Sequence, residues 1–138
     1  MREIKFRAWD KEEQEMLDWD KFFNLDIAQV FESKGSWGVY PMQYTGLRDK
    51  NGVEIYEGDI DQAENGDKSV IVFLTKAGTY CVMPMDIYLN NDYQNESFFP
   101  DFIYGFGYDL FFDNCTPDKY LNIIGNIYEN PDLLGGAS

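Results

Sequence analysis

Alternation opens the chain. Ile4, Phe6 and Ala8 interleave with Lys5, Arg7 and Trp9, the period of two that sends successive side chains to opposite faces of a strand. The spacing predicts a half-buried strand over residues 4–9, and its two bases make it the most positive local patch. Lys11-Glu12-Glu13-Gln14-Glu15 then predicts a solvated turn, and Met16-Leu17-Asp18-Trp19 a short strand pairing back. Over residues 20–31 the period changes. Phe23, Ile27, Val30 and Phe31 fall at i, i+4, i+7 and i+8, a helical stripe. Asp20 stands where an N-cap would, and Gly35-Ser36-Trp37-Gly38 breaks the pattern. β-branched and aromatic residues pull the same stretch toward extended structure. The expectation is a short helical or irregular insertion near the N-terminus.

Residues 39–45 read as extended, and Asp49-Lys50-Asn51-Gly52 as a tight turn, since Asn and Gly tolerate positive φ. Val53, Ile55 and Tyr56 resume an extended run, with a kink expected at Gly58 before Asp59-Ile60. After Asn65-Gly66, the uninterrupted Val70-Ile71-Val72-Phe73-Leu74 predicts a core strand. Lys76-Ala77-Gly78 turns the chain into Thr79-Tyr80-Cys81-Val82-Met83, which Pro84 stops. Three short strands joined by tight turns predict the meander of a small, strongly bent barrel. Residues 120–128 return to strand until Pro131. The side chains expected inward are Val70, Val72, Leu74, Tyr80, Val82, Ile123 and Ile127. The fold class expected is mainly β. The organisation expected is one domain over residues 1–134. Its barrel core lies at about 43–84 plus 119–130, with an insertion at 85–118 and a flexible tail at 135–138.

Charge narrows the partners. With 25 acids against 11 bases the net charge is −14. A nucleic-acid binder needs a basic stripe to meet phosphates, so direct nucleic-acid binding is not expected. An acidic surface favours basic partners instead. No apolar run reaches the roughly 20 residues of a membrane span, and the N-terminus shows no signal-peptide core. No membrane association is expected, and a cytoplasmic location is. In a reducing compartment Cys81 and Cys115 are expected as ordinary thiols, at least one of them buried.

Most catalytic chemistry finds no residues. Histidine is absent, which removes His-based nucleophilic, acid–base and metal arrangements. Cys81 falls among apolar neighbours, and the acid beside Cys115 opposes thiolate formation. Gly105-Phe106-Gly107 lacks the third glycine of a nucleotide loop. Asp49-Lys50-Asn51-Gly52-Val53-Glu54 lacks EF-hand spacing. No catalytic residue, metal or cofactor is expected.

Two acidic features remain. Residues 85–118 hold ten aromatics and seven acids without one base. A loop this long is usually functional. It reads as satellite core, as a ligand pocket or as an interface of exposed aromatics ringed by acids. The interface candidates are Asp86, Asp92, Glu96, Asp101, Tyr104, Tyr108, Asp109 and Asp113, and a homo-oligomer contact is the simplest use of such a surface. The second feature is Glu57, Asp59 and Asp61, which alternation would place on one face. That row reads as the solvated face of an edge strand, charged against edge-to-edge pairing, or as a carboxylate cluster for a cation or acid–base work. It is the secondary candidate for an acidic interface.

Three segments also carry a resemblance. Residues 43–60, from Gln43-Tyr44-Thr45-Gly46-Leu47 to Tyr56-Glu57-Gly58-Asp59-Ile60, are similar to the signature of the YopX-like family of bacteriophage and prophage proteins. Ile4-Lys5-Phe6-Arg7-Ala8-Trp9-Asp10 resembles that family's opening, and Ile123-Ile124-Gly125-Asn126-Ile127-Tyr128-Glu129-Asn130-Pro131 its closing strand. The resemblance implies an SH3-like barrel and a phage context, here the cytoplasm of an infected or lysogenic bacterium. It supplies no catalytic residues. Residues 85–118 depart from the family pattern, where a shorter connection is expected.

The expected function is a non-enzymatic phage accessory protein that binds a basic host or phage protein. One form of it is an acidic inhibitor of a nucleic-acid-handling or defence protein. The alternatives are a binder sequestering a nucleotide signal, with only Lys5, Arg7, Arg48 and Lys50 to meet phosphates, and a carboxylate-based metal-dependent hydrolase.

Overall fold

In the computed structural model, which describes residues 3–75, 78–90 and 117–135, the opening alternation becomes strand β1 (Phe6–Asp10). β2 (Glu15–Leu17) returns beside it with Ala8 opposite Leu17. On its other side β1 pairs antiparallel with β3 (Val39–Arg48), Phe6 opposite Gln43 and Asp10 opposite Val39. β4 (Glu54–Tyr56) completes a four-stranded sheet of order β2-β1-β3-β4. A second four-stranded sheet has the order β7-β6-β5-β8, from β5 (Asp59–Gln62), β6 (Lys68–Leu74), β7 (Thr79–Pro84) and β8 (Ile123–Asn126). Every strand pair is antiparallel. The chain is mainly β, two curled sheets forming a small barrel-like fold. β1 and β2 extend the first sheet beyond the residues expected to build the barrel.

The helical stripe is two helices rather than one. α1 (Trp19–Phe23) is capped by Asp18, whose carboxylate accepts from the Lys21 N–H, and α2 (Ile27–Ser33) by Asp26, which accepts from the Gln29 N–H. Asp20 lies inside α1. The Asn24–Asp26 break shifts the phase between the helices. Phe22 and Val30 are therefore the buried anchors, packed with Ala8 and Leu17, while Phe23 and Phe31 stay partly exposed, Phe23 edge-on to Trp19 and Phe31 edge-on to Phe6 and Phe22. α3 (Met85–Asn90) follows β7 directly, and α4 (Pro117–Tyr120) leads to β8. A 3-10 turn closes the described chain at Pro131–Gly135. No described helix is long and apolar enough to cross a membrane.

The second sheet is buried on both faces, and this corrects the inward set. Across the β6–β7 ladder Val70 faces Met83 and Val72 faces Cys81. Ile60, Val70, Val72, Leu74, Cys81, Met83 and Met85 share one cluster, against which Ile127 packs. On the opposite face Ile71 meets Ile55 and Leu121, with Val82 and Ile123 against them. Tyr80 lies opposite Phe73, their rings 5.1 Å apart. Val70, Val72, Leu74 and Ile127 thus face as expected, whereas Tyr80, Val82 and Ile123 belong to the other side. An all-apolar run carries no alternation from which to read the parity of its neighbour.

Gly58 carries the chain from the first sheet to the second. Its φ is +84°, a conformation other residues adopt only under strain. Its N–H donates to the Ile71 carbonyl at 2.8 Å, and its own carbonyl accepts from the Ile127 N–H at 2.9 Å.

Candidate functional site

The acids of the central segment are engaged one by one. Asp49 is 2% exposed. Its Oδ1 accepts from the N–H groups of Asn51 (2.8 Å) and Val53 (2.9 Å), which builds the turn. Its Oδ2 accepts from the Ile123 N–H at 2.9 Å and so ties that turn to β8. Glu57 Oε1 accepts from the Gln43 N–H at 2.8 Å. Asp59 Oδ2 accepts from the Tyr56 N–H at 2.7 Å, and its Oδ1 from Arg7 Nη2 at 2.5 Å. Asp61 Oδ1 accepts from the Asn122 N–H at 2.7 Å.

Glu57, Asp59 and Asp61 therefore do not form a solvated row. β5 lies between β6 and β8 rather than at an edge, Glu57 precedes it, and Asp59 and Asp61 are buried. Burial pushes all three carboxyls above their ordinary range, against the opposing pull of their hydrogen bonds and, for Asp59, of Arg7. No group of three or more acids or cysteines is placed to hold a metal among the described residues.

The bases nearby are occupied as well. Lys5 Nζ lies 2.6 Å from Glu54 and 4.9 Å from the centre of the Tyr44 ring. Arg7 lies 4.4 Å over the Tyr56 ring. Arg48 reaches the Gly52 carbonyl and Glu54. Cys81 is buried, and burial pushes its thiol up to about 11. Of the interface candidates Asp86 is described, exposed in the first turn of α3. Asp92, Glu96, Asp101, Tyr104, Tyr108, Asp109 and Asp113 lie outside the described residues, as does Cys115.

Two features emerge that the sequence reading did not single out. The first is a cleft of about 170 Å³ where Gly58 crosses between the sheets. Its lining includes Met42, Glu57, Val70, Val72, Ile127 and Tyr128. Tyr128 is set by the turn after β8. There Asn126 Oδ1 accepts from the N–H groups of Tyr128 (3.0 Å) and Glu129 (2.8 Å), and Asn130 Oδ1 from the Asn126 N–H at 3.1 Å. A Cβ on Gly125 would meet that Asn130 oxygen, so the close approach requires glycine. The Tyr128 ring stacks on Trp9 of β1 (6.2 Å) and on Tyr40 of β3 (5.6 Å), which are register partners across the two central strands of the first sheet.

The second feature is the outer face of α1 and α2. Phe23 is 62% exposed and Phe31 42%, with Leu25 between them. Residues 10–33 carry eight acids against two bases. The doubled apolar positions Phe22-Phe23 and Val30-Phe31 were the available signal, because one helix face cannot bury both members of each pair.

Comparison with known proteins places the chain against one family. The family described as YopX protein matches residues 5–135. No curated protein matches the chain. Among solved structures it is similar to the crystal structure of protein EF1440 from Enterococcus faecalis, with a TM-score of 0.49 and 26% identity, over 97% of this chain and 99% of that one.

Proposed function

This chain belongs to the YopX family, and from that premise we propose that it is a non-enzymatic phage or prophage accessory protein, acting in the host cytoplasm, that docks onto a basic protein. The observation that carries this reading is the α1–α2 face, where Phe23, Leu25 and Phe31 are exposed within a segment of eight acids and two bases. Exposed aromatics supply contact energy once water is excluded, and like-signed charge around them steers and selects an oppositely charged partner. The acidic residues 85–118 extend the same character, with Asp86 at their described end. A basic groove that normally receives nucleic acid is the matching surface, so the target is a nucleic-acid-handling or defence protein of the host.

The engagement of the interior supports a binding role over a catalytic one. Asp49, Asp59 and Asp61 each hold a backbone N–H that joins two elements. Lys5 and Arg7 spend their charge on Glu54 and Asp59, which disfavours sequestration of a phosphate-bearing nucleotide.

The test is capture from host lysate by the immobilised chain, compared with a Phe23→Ser variant, Phe23 being the more exposed ring and Phe31 packing on the buried Phe22. Support requires a basic partner that is released as salt rises, is not captured by the variant, and loses its nucleic acid to the purified chain in competition. A partner that binds equally to the variant, or indifferently to salt, overturns the reading.

A further inference from the structure

We propose that the cleft beside Gly58 is a receptor for one guanidinium side chain of a protein partner, with Glu57 as its anionic end and Tyr128 as a wall. The inference deepens the proposed docking role and rests on it.

Size comes first. At about 170 Å³ the cleft falls below the roughly 300 Å³ at which pockets for drug-sized molecules begin. It suits a single side chain. The lining then dictates the chemistry. Met42, Val70 and Val72 back the cleft from buried positions, Ile127 gives an aliphatic stem a half-buried apolar contact, and no lining residue is basic. Pro41, Glu57, Ile127 and Tyr128 are half-buried, which leaves the cleft open on one side.

Glu57 supplies the charge. One of its carboxylate oxygens accepts from the Gln43 N–H, and the carboxylate has no other hydrogen bond among the described residues. Tyr128 lines the same cleft. A half-buried carboxylate with accepting capacity to spare is stabilised by a cationic donor. Burial raises the Glu57 carboxyl above its ordinary range, and a cation set against it would offset that cost.

A guanidinium fits better than an ammonium. It is flat, weakly hydrated and stacks on aromatic rings while donating to a carboxylate. The fold already uses this combination. Arg7 donates to Asp59 while its guanidinium lies over the Tyr56 ring. In Glu57 the cleft offers an acid of the same kind, with Tyr128, its ring stacked on Trp9 and Tyr40, in the lining. The net charge of −14 favours approach of such a donor, and Arg seated in a pocket is a common anchor of protein interfaces.

The test titrates N-acetyl-arginine amide into the isotopically labelled full chain and follows backbone amides by NMR. N-acetyl-citrulline amide, which keeps the shape and loses the charge, is the control. Expected are saturable shifts at Gln43, Gly58 and Ile127 with the arginine derivative, and at least fivefold weaker binding of the citrulline derivative. Glu57→Gln should weaken arginine binding by a similar factor. The citrulline comparison on the unsubstituted chain decides the matter even if that variant fails to fold. Equal responses to both derivatives, or shifts confined to other surfaces, overturn the proposal. Capture of a basic partner through Phe23 with no arginine response in the cleft would sink this inference and leave the docking role standing.

Discussion

Arg7 of β1 and Asp59 of β5 meet as an ion pair, Nη2 to Oδ1 at 2.5 Å, across 52 positions of sequence. The pair joins the two sheets at a point where Asp59 is 2% exposed and the Arg7 side chain 16%. Arg7 Nε is buried and has no hydrogen-bond partner among the described residues, so the guanidinium depends on Asp59 and the Tyr56 ring.

Removing one member of this pair leaves the other buried and uncompensated. Arg7→Met is expected to cost about 3 kcal/mol in chemical denaturation, whereas the double variant Arg7→Met/Asp59→Leu recovers a substantial part of that loss. If the single and double variants are equally destabilised, the ion pair is not what links the sheets.

The parity of β7 is open to direct measurement. Leu74 is fully buried and Met83 is 3% exposed, whereas Val82 is half-buried on the other face. Leu74→Ala and Met83→Ala should each cost about 2–5 kcal/mol, and Val82→Ala clearly less. A loss below about 1 kcal/mol at Leu74 would contradict the cluster assigned to it.

Gly125 is constrained by a neighbour rather than by its own φ. The Asn130 side chain occupies the space a methyl would need, and it is held there by the Asn126 N–H. Gly125→Ala should lower the melting temperature. Gly125→Ala/Asn130→Ala should fall short of the sum of the two single effects, because the second change removes the obstacle to the first. Full additivity would argue against this contact.

Acidification should stabilise the fold. Glu57 and Asp61, neither of them the counter-ion of Arg7, have carboxyls raised by burial. The native state then binds their protons at a higher pH than the unfolded chain does. Stability is lost as pH rises from the unfolded toward the folded pKa values, and regained as pH falls back through that window. The urea midpoint should therefore increase as pH falls from neutral toward the ordinary carboxyl range, and Glu57→Gln should blunt the increase. A midpoint that falls steadily over this range would contradict it.

Added salt acts in the same direction through a different cause. A net charge of −14 repels itself in the compact state, and screening relieves that repulsion. Melting temperatures should climb across an ionic-strength series at neutral pH, and a flat series would show that the acids are already compensated locally.

Local pattern determined the parts of this protein that depend on near neighbours. Alternation over residues 4–9 marked β1, Asp49-Lys50-Asn51-Gly52 marked the turn, and the apolar run at Val70 marked the central strand. The three motifs in order pointed to the family, and the absence of histidine narrowed the chemistry. Tertiary structure decided what depends on distant partners. Whether Cys81 or Val82 joins Val72 follows from strand register, which an uninterrupted apolar run conceals. Glu57, Asp59 and Asp61 have one spacing whether they meet water or a second sheet. Their burial followed from β5 lying between β6 and β8. The partial exposure of Phe23 and Phe31 followed from a break between two short helices. The cleft at Glu57 exists because Gly58, Ile127 and Met42, far apart in sequence, converge where the chain crosses between sheets. Burial is a property of what packs against a residue, and that is settled by topology rather than by the residue's own neighbourhood.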